Sequence, residues 1–349
     1  MRMTRDTLVT TSSNASTLSS NLEVGNGSLV NVSGSFSNQG AIFLETGGWL
    51  TVLEGDDPIL PDRLTTPGGI PSEINIAGDS NFDDALAALA MVPEGDVDPV
   101  ALFQSQVEGS RLGTGVLLLN NGLVENQVVN NVGGALISSG GEIRDSDFAL
   151  SLGGSILVTH EPLLFLRNRV TGTGLIQVQP DGELLLESLD IGDDVNDPFS
   201  LVIRNRGTLL TRGVVNFLEN TTLINEGFFA DDETFSGARE LYLEKMTQVG
   251  GMTRLNGYLS SNQPINIQAG LLFGSGQVVG ELINRGGVVS GSQMSVNGLF
   301  RQLNTGMTVV DFNTSSDPVL NTVDAELDGH LKVVVDDAYL ASITPGYSF

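Results

Sequence analysis

The chain has 349 residues, of which 40% are hydrophobic, so it is long and apolar enough to build a continuous core. Lys and Arg total 16 against 42 Asp and Glu, and the formal net charge of -26 argues against nucleic acid and anionic membrane surfaces as partners. Cysteine is absent, which excludes a disulfide scaffold, thiolate metal sites and a Cys nucleophile.

Most of the chain consists of short apolar runs that are bounded by Gly, Asn or Asp. Residues 41–53 and 115–129 are typical examples. Runs of this length with turn residues between them predict many short β-strands, and long amphipathic helical patterns are rare. The sequence therefore predicts an all-β fold.

Residues 54–110 differ from this pattern because they are rich in proline and aspartate. Within them, residues 80–91 follow a capping Asn81 with two acids and an Ala/Leu run, and residues 98–107 begin with Asp98 and Pro99. These patterns predict two short helices in an excursion from the β body. A mobile loop is the alternative interpretation.

A degenerate motif, apolar-x-Asn-x-Gly-x-apolar, recurs along the chain. Composition alone predicts about 0.5 occurrences, whereas the chain contains six, and this excess indicates an internal repeat. The motif pairs are Asn38 with Gly40, Asn120 with Gly122, Asn131 with Gly133, Asn205 with Gly207, Asn225 with Gly227, and Asn284 with Gly286.

We interpret the motif as the turn of a parallel β-helix. Asn and Gly adopt positive φ more readily than other residues, so Asn-x-Gly suits a sharp bend between strands, where stacked Asn amides can hydrogen-bond along one edge. The spacing from Asn205 to Asn225, and from there to Asn284, suits coils of roughly 20 residues. The alternative is a three-residue hairpin turn in an antiparallel meander.

The C-terminal part adds a further set of motifs. They are Gly274-x-Gly276, Asn284-x-Gly286, the strand at residues 298–302, Gly306, Gly329-x-Leu331 and Gly346-x-x-Phe349. In this order they resemble the C-terminal part of passenger β-helices in autotransporter and haemagglutinin-like bacterial surface proteins, including those with autotransporter-associated β-strand repeats. The resemblance covers about residues 200–349, and residues 290–294 depart from it. It implies a right-handed parallel β-helix with an adhesive, scaffold or fibre role.

These observations predict three parts of the chain. Residues 1–53 form N-terminal β-helix coils or a cap, and residues 54–110 form the excursion with its two short helices. Residues 111–349 form the main parallel β-helix, whose C-terminal coils we expect to be truncated.

The densest acidic cluster, at residues 192–198, is the candidate metal site. Asp193, Asp194 and Asp197 lie in a turn, and carboxylate oxygens are the ligands that Ca²⁺ prefers. No cofactor is required by the sequence, and calcium is the one that this turn would bind. Solvated surface charge is the alternative interpretation for this cluster and for the acidic pairs at 56–57, 231–233 and 336–337.

The sequence predicts a non-enzymatic extracellular or cell-surface protein for adhesion, scaffolding or fibre formation, although no signal peptide begins the chain. Its expected partners are further copies of itself, end to end or side by side, surface glycans, and host or neighbouring cells. Nucleic acid and direct membrane insertion are not expected. Two alternatives are a β-helical polysaccharide lyase, hydrolase or tailspike-like depolymerase using Arg204 or Arg212, and a self-assembling sheath or filament subunit.

Overall fold

A computed structural model of the chain describes residues 2–3, 8–10, 16–18, 21–25, 28–32, 35–38, 41–44, 49–52, 63–65, 72–77, 115–119, 121–192, 201–218, 220–291, 293–312 and 320–335. These residues form β-strands and turns, and none of them is helical. The described part of the chain therefore contains no helix that could cross a membrane.

The chain divides into two compact units, Met1–Leu209 with Leu218–Thr221, and Leu210–Phe217 with Thr222–Phe349. The strands of the first unit are β1 Arg2–Met3, β2 Leu8–Thr10, β3 Ser16–Leu18, β4 Leu22–Val24, β5 Leu29–Val32, β6 Ser35–Asn38, β7 Ala41–Leu44, β8 Trp49–Val52, β9 Arg63–Thr65, β10 Ser72–Ala77, β11 Val116–Leu119, β12 Leu123–Glu125, β13 Gln127–Val132, β14 Ala135–Ser138, β15 Gly141–Arg144, β16 Asp147–Val158, β17 Pro162–Leu166, β18 Arg169–Val178, β19 Glu183–Ile191 and β20 Leu201–Asn205.

Strands β21 Thr208–Phe217 and β22 Thr221–Asn225 each begin in the first unit and continue in the second. The remaining strands belong to the second unit. They are β23 Phe228–Asp231, β24 Arg239–Leu243, β25 Lys245–Gln248, β26 Met252–Leu255, β27 Tyr258–Ser261, β28 Ile265–Ile267, β29 Leu271–Gly274, β30 Gln277–Val279, β31 Leu282–Asn284, β32 Val288–Gly291, β33 Met294–Gln302, β34 Met307–Phe312, β35 Leu320–Leu327 and β36 His330–Val335.

Both units are built from stacked coils, and each strand pairs in parallel with the equivalent strand of the next coil. In the second unit, β24, β25 and β26 pair with β27, β28 and β29, which pair in turn with β30, β31 and β32. In the first unit, Leu22 of β4 pairs with Ile42 of β7, 20 residues later. The predicted parallel β-helix and its coil length are confirmed.

The antiparallel meander is wrong, because among the described residues the strands that follow one another in the chain do not pair as hairpins. In the first unit, β16 pairs in parallel with β13 and β14, which belong to the previous coil, and β17 pairs in the same way with β15. A hairpin would have joined consecutive strands in opposite directions. The described turns instead lead from one face of the β-helix to the next face.

The core lies inside the coils, where alternate residues of each strand point inward. One inward column of the first unit runs through equivalent positions of β4, β7, β10, β13, β16 and β18. Its buried members are Leu22, Ile42, Ile74, Val129, Phe148 and Val170. Phe148 also meets Phe165 edge to face, with ring centroids 5.7 Å apart. Burying each such side chain contributes about 1.5–3 kcal/mol.

Two strands occur within the range that we predict to be an excursion. Strand β9 pairs with β6 and β12, and β10 pairs with β7 and β13, so both belong to the coils of the first unit. The predicted helices at 80–91 and 98–107 lie outside the described residues. The division into three parts therefore stays a prediction.

Candidate functional site

The turn motif places buried asparagines at the ends of strands. Asn205, Asn225 and Asn284 are the last residues of β20, β22 and β31, and Asn131 is the last but one of β13. All four are 0% exposed. Asn38 is the last residue of β6, whereas Asn120 and Gly40 lie outside the described residues. The polar side chains of these four asparagines therefore lie in the core.

Asn284 shows what the buried amide does. Its Oδ1 accepts a hydrogen bond from the N–H of Gly287 at 3.0 Å, which closes the turn after β31. Its Nδ2 donates to the carbonyl oxygen of Met307, one coil further along, at 3.1 Å. The same donation to the next coil joins Asn225 to the carbonyl of Met252 at 3.2 Å and Asn131 to that of Ser155 at 3.0 Å. The motif thus joins successive coils.

Buried amides of glutamine continue this arrangement in the second unit. Asn225, Gln248, Ile267, Asn284 and Gln302 occupy one register position on successive coils. The two glutamines donate to the carbonyls of Ala269 and His330, each one coil further on. The sequence motif contains asparagine alone and therefore does not predict these glutamines, although Gln248-x-Gly250 is the same motif with a longer amide.

The glycines of the motif have a different role from the one we expected. Among the described motif residues, positive φ occurs at Gly133, where it is 68°. For the others the expectation of positive φ is wrong. At Gly207, a Cβ atom would lie 2.1 Å from the carbonyl oxygen of Gln179 on the preceding coil. Glycine is required there because the neighbouring backbone approaches too closely for a side chain.

The predicted calcium ligands Asp193, Asp194 and Asp197 lie outside the described residues, so calcium stays a prediction. The acidic pairs at 56–57 and 336–337 lie outside them as well. Where the structure does describe the chain, no group of three or more His, Asp or Glu side chains is placed to hold a metal ion.

The third acidic group, at residues 231–233, meets three arginines in the second unit. We name this set, Asp231, Asp232, Glu233, Arg212, Arg239 and Arg254, the acid–arginine cluster. Strand β23 ends at Asp231, and the next two residues form the turn after it. The arginines lie on β21, β24 and β26. Neighbouring coils therefore supply one arginine for each acid.

Asp232 is the most fully bonded member of the cluster. Its Oδ2 accepts a hydrogen bond from Nε of Arg212 at 2.6 Å, and its Oδ1 accepts from the backbone N–H and the hydroxyl of Thr234 at 2.9 and 2.7 Å. Burial alone would raise the pKa of Asp232, but the bonds from Thr234 and Arg212 outweigh it and lower that pKa. This carboxylate is ionised at neutral pH and is a poor proton donor.

The other two acids also form ion pairs with arginine. Oδ1 of Asp231 accepts the backbone N–H of Asn256 at 2.7 Å, and its Oδ2 lies 3.2 Å from Nη1 of Arg239 in an ion pair without hydrogen-bond alignment. Glu233 lies 3.1 Å from Nη1 of Arg254. Three acids and three arginines balance each other, so the cluster joins coils by ion pairs.

The last described coil of the second unit, β35 with β36, exposes apolar side chains. We name these two strands the terminal coil. Leu327 is 63% exposed although it pairs in register with buried Gln302, and Leu331 is 62% exposed although it pairs with buried Thr308. Val333 of the same coil is 48% exposed. Core positions of the β-helix therefore face solvent at this end of the unit.

A cavity of about 240 Å³ opens between the terminal coil and the coil before it. Phe300, Val310, Leu327 and Leu331 contribute its apolar lining, and Gln302 contributes a polar group. The cavity and the exposed core positions form one continuous apolar region, which a further layer of β-structure could cover.

Comparison with models of protein families gives no match, and comparison with curated proteins gives none either. The β-helix that we observe is consistent with a β-helical passenger protein.

Proposed function

We propose that the chain is a non-enzymatic extracellular or cell-surface β-helix protein that serves adhesion, scaffolding or fibre formation. The observation that carries the proposal is the terminal coil, which presents core positions of a parallel β-helix to solvent. Soluble proteins seldom leave such a surface uncovered, because sheet edges and apolar patches are sites of association. The resemblance to autotransporter passengers supports the same role.

The partners that we propose are further copies of the chain, surface glycans, and host or neighbouring cells. End-to-end contact would bury the terminal coil. Side-by-side contact would bring together two chains that each carry a formal charge of -26, so we expect divalent cations to promote it. A filament or sheath subunit is the extreme case of the same assembly.

The test of association uses sedimentation velocity and electron microscopy over a range of protein concentrations. We expect the unmodified protein to form larger species as its concentration rises. Leu327→Lys and Val333→Lys should each keep it monomeric, because a charge at a core position prevents stacking. Val249→Lys is the matched control, since Val249 is 37% exposed outside the terminal coil. A monomer at every concentration would contradict the fibre role.

Two further assays test the remaining parts of the proposal. Beads coated with the protein should bind to bacterial or host cells more than beads coated with albumin, which tests adhesion. Incubation with a panel of polysaccharides should release no unsaturated or reducing sugar. Sugar release would instead support the lyase or hydrolase alternative, although Arg212, one candidate base, is held by Asp232.

A further inference from the structure

Two tyrosines meet on the outer surface of the second unit. Tyr242 of β24 and Tyr258 of β27 lie on adjacent coils, with ring centroids 5.6 Å apart and ring planes inclined by 52°. Tyr242 is 38% exposed, and Tyr258 is partly exposed. By contrast, the single tryptophan, Trp49, is 1% exposed and belongs to the core. Together the two rings form an exposed aromatic surface that could stack on a ligand ring.

The position of the Tyr242 ring is fixed by a neighbouring acid. Its hydroxyl donates to Oε2 of Glu240 at 2.9 Å, and this bond raises the pKa of Tyr242. Glu240 also pairs in register with Tyr258, so the carboxylate lies beside both rings. A rigid aromatic surface with a polar group at its edge loses little conformational entropy when it binds a ligand.

The surrounding sheet face is polar and almost uncharged. It is formed by the outward residues of β21, β24, β27, β30 and β33, which we name the tyrosine face. Its two outward columns are Val214, Glu240, Tyr258, Gln277 and Ser295, and Asn216, Tyr242, Ser260, Val279 and Asn297. Glu240 is the one charged residue of these ten.

We propose that the tyrosine face binds a neutral glycan. The C–H-rich face of a sugar ring would pack on Tyr242 and Tyr258, which buries apolar area on both sides. Sugar hydroxyl groups would donate hydrogen bonds to the carboxylate beside the rings. They would both donate to and accept from the neighbouring amide and hydroxyl groups. The small number of charges favours a neutral ligand over an acidic polysaccharide or a cation. This inference rests on the proposed adhesive function and specifies the ligand class.

The first test is affinity electrophoresis of the full chain in gels that contain galactomannan, mixed-linkage β-glucan, dextran or, as an acidic comparison, alginate. We expect at least one neutral polymer to retard the protein and alginate to have no effect. Tyr242→Ala and Tyr258→Ala should each weaken retardation about tenfold. Met252→Ala is the matched control, because Met252 is 45% exposed on another sheet face of the same unit.

The second test uses the unmodified protein and does not depend on variants that fold. Nitration with tetranitromethane, mapped by mass spectrometry, should be slowed at Tyr242 and Tyr258 when the retarding polymer is present. Equal nitration with and without the polymer, retardation by alginate alone, or no retardation by any neutral polymer would overturn the inference. Cell binding by coated beads would still test the adhesive function separately.

Discussion

Replacement of Asn284 by alanine tests whether the turn motif joins the coils. The substitution removes the bonds to the Gly287 N–H and the Met307 carbonyl, at 3.0 and 3.1 Å. Each bond contributes about 0.5–1.5 kcal/mol, and an unsatisfied buried partner adds about 1–3 kcal/mol. We therefore expect local stability to fall by about 2–4 kcal/mol.

Hydrogen exchange followed by mass spectrometry is the suitable measurement, because β-helix coils interact mainly with their neighbours and can open locally. Peptides that cover residues 282–307 should exchange about thirtyfold to a thousandfold faster in Asn284→Ala than in the unmodified protein. Asn266→Ala is the matched control, since Asn266 is partly exposed on β28, the strand of the preceding coil that pairs with β31, and its side chain contacts Arg285 on the outer surface. Equal exchange in the two variants would refute the reasoning.

Replacement of Asn284 by aspartate adds a pH test of the same contact. The introduced carboxyl keeps an acceptor for Gly287, but its ionised form has no proton to donate to the Met307 carbonyl. Burial raises its pKa in the folded state above the unfolded value of about 3.9. Stability is then fully present below the unfolded pKa and is lost as the pH rises through the folded pKa. The deficit of Asn284→Asp should be largest at neutral pH and smallest near pH 4.

Two further substitutions test other contacts. Arg212→Met should lower the free energy of unfolding by about 1–3 kcal/mol at pH 7, as measured by urea denaturation. Arg167→Met is the control, and because Arg167 is exposed it should lower the free energy of unfolding by at most about 1 kcal/mol. The lowered pKa of Asp232 means that the contribution of Arg212 is present above the unfolded pKa of Asp232 and is lost as the pH falls through the folded pKa, so a deficit unchanged at pH 2 would contradict the assignment. Gly207→Ala should lower the free energy of unfolding by about 1–3 kcal/mol, because the new Cβ would lie 2.1 Å from a backbone oxygen. In the control Gly250→Ala the nearest atom lies at 3.8 Å, so the loss should be less than about 1 kcal/mol. Equal urea midpoints for the two variants would refute the steric argument.

Asn225 and Asn284 show how far the sequence alone predicts the fold. Their spacing suggested three coils of roughly 20 residues, and the structure places them in one column with Gln248 and Ile267 on the two coils between. The sequence does not predict that the asparagine side chains point into the core, because the same Asn-x-Gly pattern is compatible with a positive-φ turn and with a buried amide. A motif glycine is required either for its positive φ or because the neighbouring backbone leaves no space for a side chain. The second reason depends on the distance between two coils, which the sequence of one coil does not show.

Local sequence patterns predict an all-β protein of short strands, because alternating apolar residues and Asn-x-Gly turns act over a few neighbouring residues, but these patterns suit a parallel β-helix and an antiparallel meander alike. The folded chain is needed to show that Arg212 reaches Asp232, that Tyr242 lies against Tyr258, and that Leu327 remains exposed. Each of these contacts or exposures depends on the register between coils. Since the coils differ in length, that register is set by packing over the whole unit.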